Sequence, residues 1–419
     1  MSIEDHMLDL AKRAKIAARE IARASSAAKN EAIARVAGLL ASRRDDIARA
    51  NAADLEAAKA AGMDAPKLDR LTLSPKVIEA MIRACGDVAA LSDPVGEIEA
   101  MSQRPNGLMV GRMRTPLGVI AMIYESRPNV TIDAAILCLK AGNAVILRGG
   151  SEAFHSNTIL ADILREALTA ANIPADCAQL VPTTDRAAVK ALCKLDAYID
   201  VIIPRGGEGL IRAVVAEATM PVLKHYMGVC HAYVDSPVDV DEAVNILLNA
   251  KAQRPGVCNA LECLLVHKDA AGDILPKVAA SLGAAGVSFR ACARSLPLLG
   301  PAATPAKESD YGHEFHDLIL AVKVVDSMDQ ALDHIARYSS NHTEVILTRD
   351  HARAMRFLRE ADSSMVGVNC STRFNDGGEL GLGAEIGIST SKLHAFGPMG
   401  LRELTSAKFV VLGNGQVRG

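Results

Sequence analysis

Cys258 lies in Gln253-Arg254-Pro255-Gly256-Val257-Cys258-Asn259-Ala260. A thiolate, not a thiol, is nucleophilic, and a neighbouring cation such as Arg254 lowers a thiol's pKa. The Pro-Gly pair sets a tight turn, which lifts the next side chain out of regular structure and towards a ligand. The competing reading is a buried cysteine acting as a small hydrophobe, the usual fate of a free cysteine. Nine cysteines occur, and for most of them burial is the better reading. At Cys258 the neighbours favour the nucleophile.

Two glycine-rich turns follow apolar strands. One is Leu147-Arg148-Gly149-Gly150-Ser151-Glu152, and the other is Pro204-Arg205-Gly206-Gly207-Glu208-Gly209. Glycine lets backbone N–H groups approach a phosphate, and a helix N-terminus favours an anion. Strand-to-helix turns also need glycine for geometry alone. Neither turn fits Gly-x-Gly-x-x-Gly, so an ordinary Rossmann fingerprint is not read here. Tyr124-Glu125-Ser126-Arg127-Pro128-Asn129-Val130 ends another strand, where open α/β sheets place ligands. Asn129 either donates its amide to an oxyanion or caps the helix that follows. Arg127 either pairs with an anion or lies on the surface.

Strung together, these segments resemble the γ-glutamyl phosphate reductase family of the aldehyde dehydrogenase superfamily. The resemblance rests on Pro116 to Ile120, Tyr124 to Thr131, Leu147 to Glu152, the Cys258 segment, and Ser339-Ser340-Asn341-His342-Thr343-Glu344. It runs from about residue 5 to residue 412. It implies NADPH as reductant and L-glutamyl 5-phosphate as substrate, in proline biosynthesis. It implies that Cys258 carries the acyl group as a thioester. Asn129 and the Cys258 backbone N–H then stabilise the oxyanion. For the cofactor it implies Arg148, Gly149, Gly150, Ser151, Arg205, Gly206 and Gly207, with Glu314 on the nicotinamide ribose. Arg127 and Arg254 flank the proposed centre in sequence and suit the substrate phosphate, since arginine binds oxyanions bidentately. Arg373, Asn375 and Asp376 are read as holding the amino-acid end. A homo-oligomer, dimer or tetramer, is expected; a contact with the glutamate 5-kinase that makes the acyl phosphate is left open. One position departs from the family: Phe396 stands where an arginine is usual, in His394-Ala395-Phe396-Gly397-Pro398.

The runner-up is a hydrolytic aldehyde dehydrogenase. Such enzymes carry a water-activating glutamate in a Glu-Leu-Gly-Gly motif. The matching stretch here is His225-Tyr226-Met227-Gly228-Val229, and no carboxylate occurs between Ala218 and Val234. Without a general base, water should attack the thioester slowly. A non-enzymatic nucleotide-binding or scaffold protein is the third reading, and the joint presence of Cys258, Asn129 and both glycine turns disfavours it. His342 has no chemical role in this reading and is taken as a structural histidine.

The elements that must position these residues are legible as patterns. The chain has 419 residues, too many for one simple core. Residues 5–61 read as two or three alanine-rich helices. Residues 97–117 read as a hairpin about Asn106-Gly107, and Lys408-Phe409-Val410-Val411-Leu412 is a candidate partner strand. From Gly118 apolar strands alternate with helices, the pattern of a parallel, doubly wound sheet. The expected fold is α/β and aldehyde dehydrogenase-like: two doubly wound parallel-sheet domains and an oligomerisation hairpin. The expected division is 1–96 with 118–221 for NADPH, 222–395 for catalysis, and 97–117 with 396–419 for assembly.

Net charge is −3, which offers no basic field for nucleic acid. The cysteine count is odd and no Cys-x-x-Cys pair occurs, which argues against a disulfide framework or a zinc motif. The first residues lack the apolar core of a signal peptide, and no apolar run spans a bilayer. The expectation is a cytoplasmic enzyme with no metal.

Overall fold

The computed structural model describes residues 2–418. The chain forms two compact units: 1–224 with 382–387 and 399–419, and 225–381 with 388–398. Residues 97–117 and the C-terminal strand thus cluster with the first unit. Residues 382–387, assigned from sequence to the catalytic segment, return to it as well.

In the first unit, helices Ile3–Ile21, Ser26–Ser42 and Arg44–Ala60 account for the alanine-rich start. Ser25 caps the second of these by accepting from the Ala28 amide, satisfying a donor the helix itself cannot. Strands β1 (Ile98–Gln103) and β2 (Met109–Pro116) are antiparallel. The C-terminal strand Thr405–Leu412 pairs with β2, placing Lys408 opposite Met113. Four further strands follow: β3 (Val119–Tyr124), β4 (Ala144–Arg148), β5 (Ala178–Leu180) and β6 (Val201–Arg205). They form a parallel sheet in the order β5-β4-β3-β6. Every residue of β3 is buried, as expected of a strand covered on both faces.

The second unit holds a seven-stranded parallel sheet. Its strands are β7 (Cys230–Val234), β8 (Leu261–His267), β9 (Ser288–Ala291), β10 (Ala303–Pro305), β11 (Ile319–Val325), β12 (Thr343–Leu347) and β13 (Met365–Val368). The order is β10-β9-β11-β8-β7-β12-β13. Strand periodicity sorts the side chains into two cores. Ala232, Val234, Leu264 and Val266 pack with helices Val240–Ala252 and Lys268–Ala284. Tyr233, Cys263 and Leu265 pack with helices Met328–Tyr338 and His351–Glu360. Among the described residues, no helix is long and apolar enough to cross a membrane.

Candidate active site

Cys258 sits on the loop between helix Val240–Ala252 and β8, half-buried. Three strands bring their starting ends to this place. β7 and β12 flank one another, and β8 pairs with β7. The segments that lead into them contain Gly228, Cys258 and His342. The centre in this unit therefore lies at the N-terminal end of its sheet, opposite to the usual ligand position in open α/β sheets.

The loop is pinned at its backbone. A Cβ at Gly228 would lie 1.9 Å from the Cys258 carbonyl oxygen, so only glycine passes there. The Cys230 thiol donates to that same carbonyl at 3.1 Å. Both ends of the loop are joined by an ion pair, Lys251 Nζ to Glu262 Oε2 at 2.7 Å, with both side chains fully buried. Burial drives the Glu262 carboxyl up to about 7, against the pull of Lys251. These contacts fix the main chain and leave the Cys258 side chain half open to solvent.

Burial separates Cys258 from most other cysteines. It pushes the thiols of Cys85 and Cys177 up to about 12 and that of Cys193 to about 11. Cys292 is the competitor on acidity. Burial opposes its ionisation, but hydrogen bonds from Ser295 and from backbone amides lower its pKa overall. Among the described residues no His/Cys trio includes it, and its partners are structural: Ser295 Oγ at 3.3 Å and the Val324 amide at 3.4 Å.

Two histidines join Cys258. A ring nitrogen of His225, the Cys258 sulfur and a ring nitrogen of His342 lie within 4.8 Å of one another. The two rings meet edge-on, with centroids 5.6 Å apart. Sequence reasoning missed both. It treated His342 as structural, and it read the His225 stretch as lacking a base because it lacks a carboxylate. The stretch is carboxylate-free, but its imidazole lies beside the thiol, so absence of a base does not argue against hydrolysis. A second trio, His231, Cys263 and His334, is buried between the sheet and helix Met328–Tyr338. Cys263 is thus core material.

The Arg373 loop is tied to the Cys258 loop. Arg373 donates to Asn259 Oδ1 and, through Nε, to Gln253 Oε1 at 2.9 Å. Asn259 Nδ2 donates to the Asn375 carbonyl at 3.0 Å. Asn375 is fully buried, and its amide nitrogen donates to the His342 carbonyl and to Thr343 Oγ1 at 3.1 and 2.8 Å, bracing the loop against β12. Asp376 Oδ1 accepts from the Gly378 amide at 2.9 Å, stabilising the turn. Arg254 is exposed. Glu314 lies 3.4 Å from His316 Nε2 in the same unit.

In the first unit, Asn129 stands at the N-cap of helix Val130–Lys140 yet makes no side-chain cap. Its Nδ2 instead donates to Asp133 Oδ2 at 2.8 Å. The capping alternative is therefore excluded. Arg127 is half-buried in the same turn. Arg148 is 8% exposed and donates to the carbonyls of Gly149 and Thr184 at 2.6 and 2.8 Å. It braces its turn. A Cβ at Gly149 would lie 2.0 Å from Asn157 Nδ2, so close packing already requires that glycine. Gly150 and Ser151 continue that turn beside Glu152, whose Oε1 accepts from the Ser126 amide at 2.6 Å. Arg205, Gly206 and Gly207 lead into helix Glu208–Glu217, which has no side-chain cap. Glu125 Oε2 takes the Gly207 amide at 3.2 Å. A Cβ at Gly207 would meet nothing within 4 Å. The start of this helix, beside Arg205, suits an anionic group, and in this structure the Glu125 carboxylate takes its Gly207 amide.

Comparison with known proteins places the chain in a family. The aldehyde dehydrogenase family matches residues 4–299. A γ-glutamyl phosphate reductase of Solidesulfovibrio magneticus is 71% identical over 419 residues, covering all of both chains. That of Nitratidesulfovibrio vulgaris is 66% identical over 418 residues, again covering all of both. The chain belongs to the γ-glutamyl phosphate reductase family. It is an oxidoreductase of proline biosynthesis, and the hydrolytic reading is not favoured. The crystal structure of the reductase from Thermotoga maritima has a TM-score of 0.96 and 46% identity, covering 99% of this chain and 100% of that one. An acetylating aldehyde dehydrogenase from Geobacillus thermoglucosidasius, 18% identical over 100% of this chain and 98% of that one, shares the fold at a TM-score of 0.72. For this member of the reductase family, Phe396 is half-buried, with Lys392 Nζ 6.0 Å from its ring centroid.

Proposed function

We propose that this chain reduces L-glutamyl 5-phosphate to L-glutamate 5-semialdehyde and phosphate with NADPH, through a thioester on Cys258. The observation that carries the reading is the half-open thiol on a loop pinned at its main chain, in a chain of this family. Thiolate attack on the acyl carbon expels phosphate and stores the acyl group on sulfur. NADPH, when bound, supplies the hydride that reduces the thioester. The Asn129 amide and the Cys258 backbone N–H stabilise the oxyanion, a donor of this kind being worth about 3 to 4 kcal/mol of barrier. Arg127 and Arg254 take the substrate phosphate. Arg373 and Asp376 take the amino-acid end, the arginine on the carboxylate and the aspartate on the amine. Arg148, Gly149, Gly150, Ser151, Arg205, Gly206, Gly207 and Glu314 form the cofactor side. NADPH is favoured over NADH because Arg205 stands at the glycine turn that opens helix Glu208–Glu217.

The C-terminal strand exposes Phe409, Val411 and Leu412 at an open sheet edge. Uncovered apolar edges invite pairing, which supports a homo-oligomer. The enzyme works in the cytoplasm.

The test runs the reaction backwards. Pyrroline-5-carboxylate, which is in equilibrium with the semialdehyde, is mixed with the protein and NADP, with and without inorganic phosphate. NADPH formation should depend on phosphate. Formation at equal rates without phosphate would point to hydrolysis and sink the reading.

A further inference from the structure

A stretch with no carboxylate delivers an imidazole to the nucleophile. His225 Nδ1 lies 2.9 Å from the Ile388 carbonyl oxygen. A carbonyl only accepts, so Nδ1 carries the proton of the neutral ring and Nε2 keeps a lone pair. A ring nitrogen of His225 is within 4.8 Å of Cys258 Sγ. That is within reach of a small side-chain adjustment, and such contacts tighten when substrate binds. The Gly228 passage and the Cys230 bond hold the Cys258 main chain in place while the side chain turns.

The other charged and titratable groups around the pair suit this work less well. Arg373 and Arg254 carry guanidinium groups, which do not accept a proton. Cys230 is buried, and its thiol is raised well above its ordinary value by desolvation. Glu262 is committed to Lys251 and Glu344 to His231. Asp376 is engaged with its own turn. His342 Nδ1 is 2.8 Å from Thr343 Oγ1 in a fully buried position. His225, half-buried and oriented by a main-chain carbonyl, is the base in position.

We propose that His225 takes the Cys258 proton and returns it to the departing phosphate. The inference rests on Cys258 being the acyl carrier. The S–H bond breaks to the imidazole, and the S–C bond forms as the C–O bond to phosphate breaks. The imidazolium then protonates the leaving phosphate. Thiol and acyl phosphate give thioester and hydrogen phosphate, and the imidazole ends neutral.

The experiment follows alkylation of Cys258 by iodoacetamide, read as peptide mass, across the neutral pH range. Wild type is compared with His225→Asn and His225→Gln. Both substitutions keep a donor for the Ile388 carbonyl and remove the base. The wild-type alkylation profile should inflect at lower pH than the profiles of the variants. Alkylation at neutral pH should fall at least about tenfold in the variants, the loss expected when an imidazole no longer assists an isolated thiol. The kcat profile of the phosphate-dependent reaction should move the same way, with KM for the semialdehyde within about twofold. Wild type without an inflection below that of a free thiol overturns the inference, and this needs no variant. An unchanged profile in variants with wild-type melting temperature overturns it as well. Activity that survives Cys258→Ala overturns this inference and the proposed thioester together. An inactive Cys258→Ala beside an unchanged His225→Asn profile overturns the inference alone.

Discussion

Asn129 holds the N-cap position without capping, because its amide is given to Asp133. Burial raises the Asp133 carboxyl to about 6, partly offset by the Asn129 hydrogen bond and the Arg205 charge. A carboxyl with a raised folded pKa stabilises the fold below its unfolded pKa of 3.8, and that contribution is lost as pH rises through about 6. Asp133→Asn removes the titration and keeps an acceptor for Asn129. Its stability relative to wild type should therefore improve by about 2 kcal/mol between pH 4 and 7, allowing for partial exposure. Urea unfolding at the two pH values measures this, and a constant difference would refute it. Among single residues, Cys258 draws the nucleophile reading because its signal is local: a cation and a turn beside one thiol. His225 and His342 were not, since neither has a neighbour that marks it. Only the pairing of β7 with β12 puts them at one place. At Asn375 the sequence shows a polar loop but not that β12 takes its amide nitrogen.

At the scale of elements, the starts of β7, β8 and β12 form the platform, and the Lys251–Glu262 pair closes the loop that carries Cys258. Removing one member of a buried pair leaves an uncompensated charge, whereas removing both is often tolerated. Lys251→Met and Glu262→Met should each cost about 3 to 5 kcal/mol of unfolding free energy, and the double variant should recover most of it. A double variant as unstable as the sum of the singles would contradict the pairing. The alternation of apolar strands and helices gave away the parallel sheets, since covered strands must be apolar throughout. The three helices at the start and the partnership of 405–412 with the hairpin were also legible, from periodicity and from unmatched strand faces. The end of the second sheet that carries the site was not. Strand polarity relative to a loop depends on which strands become neighbours, and no local pattern encodes that order.

At the scale of the molecule, two compact units divide the proposed labour. The first carries Asn129 and the arginine-bearing glycine turns, and the second carries Cys258, His225 and His342. Membership of the reductase family fixes the class of reaction, while the hydrolytic alternative is set aside by family and not by lack of a base. The central claim is that the acyl group rests on Cys258. It is tested most directly by incubating the protein with pyrroline-5-carboxylate and NADP without phosphate, quenching in acid, and weighing the cysteine peptides. The account predicts a glutamyl adduct on the Cys258 peptide that disappears when phosphate is added before the quench. An adduct on Cys292 or Cys263, or none on Cys258 while NADPH accumulates, would contradict it.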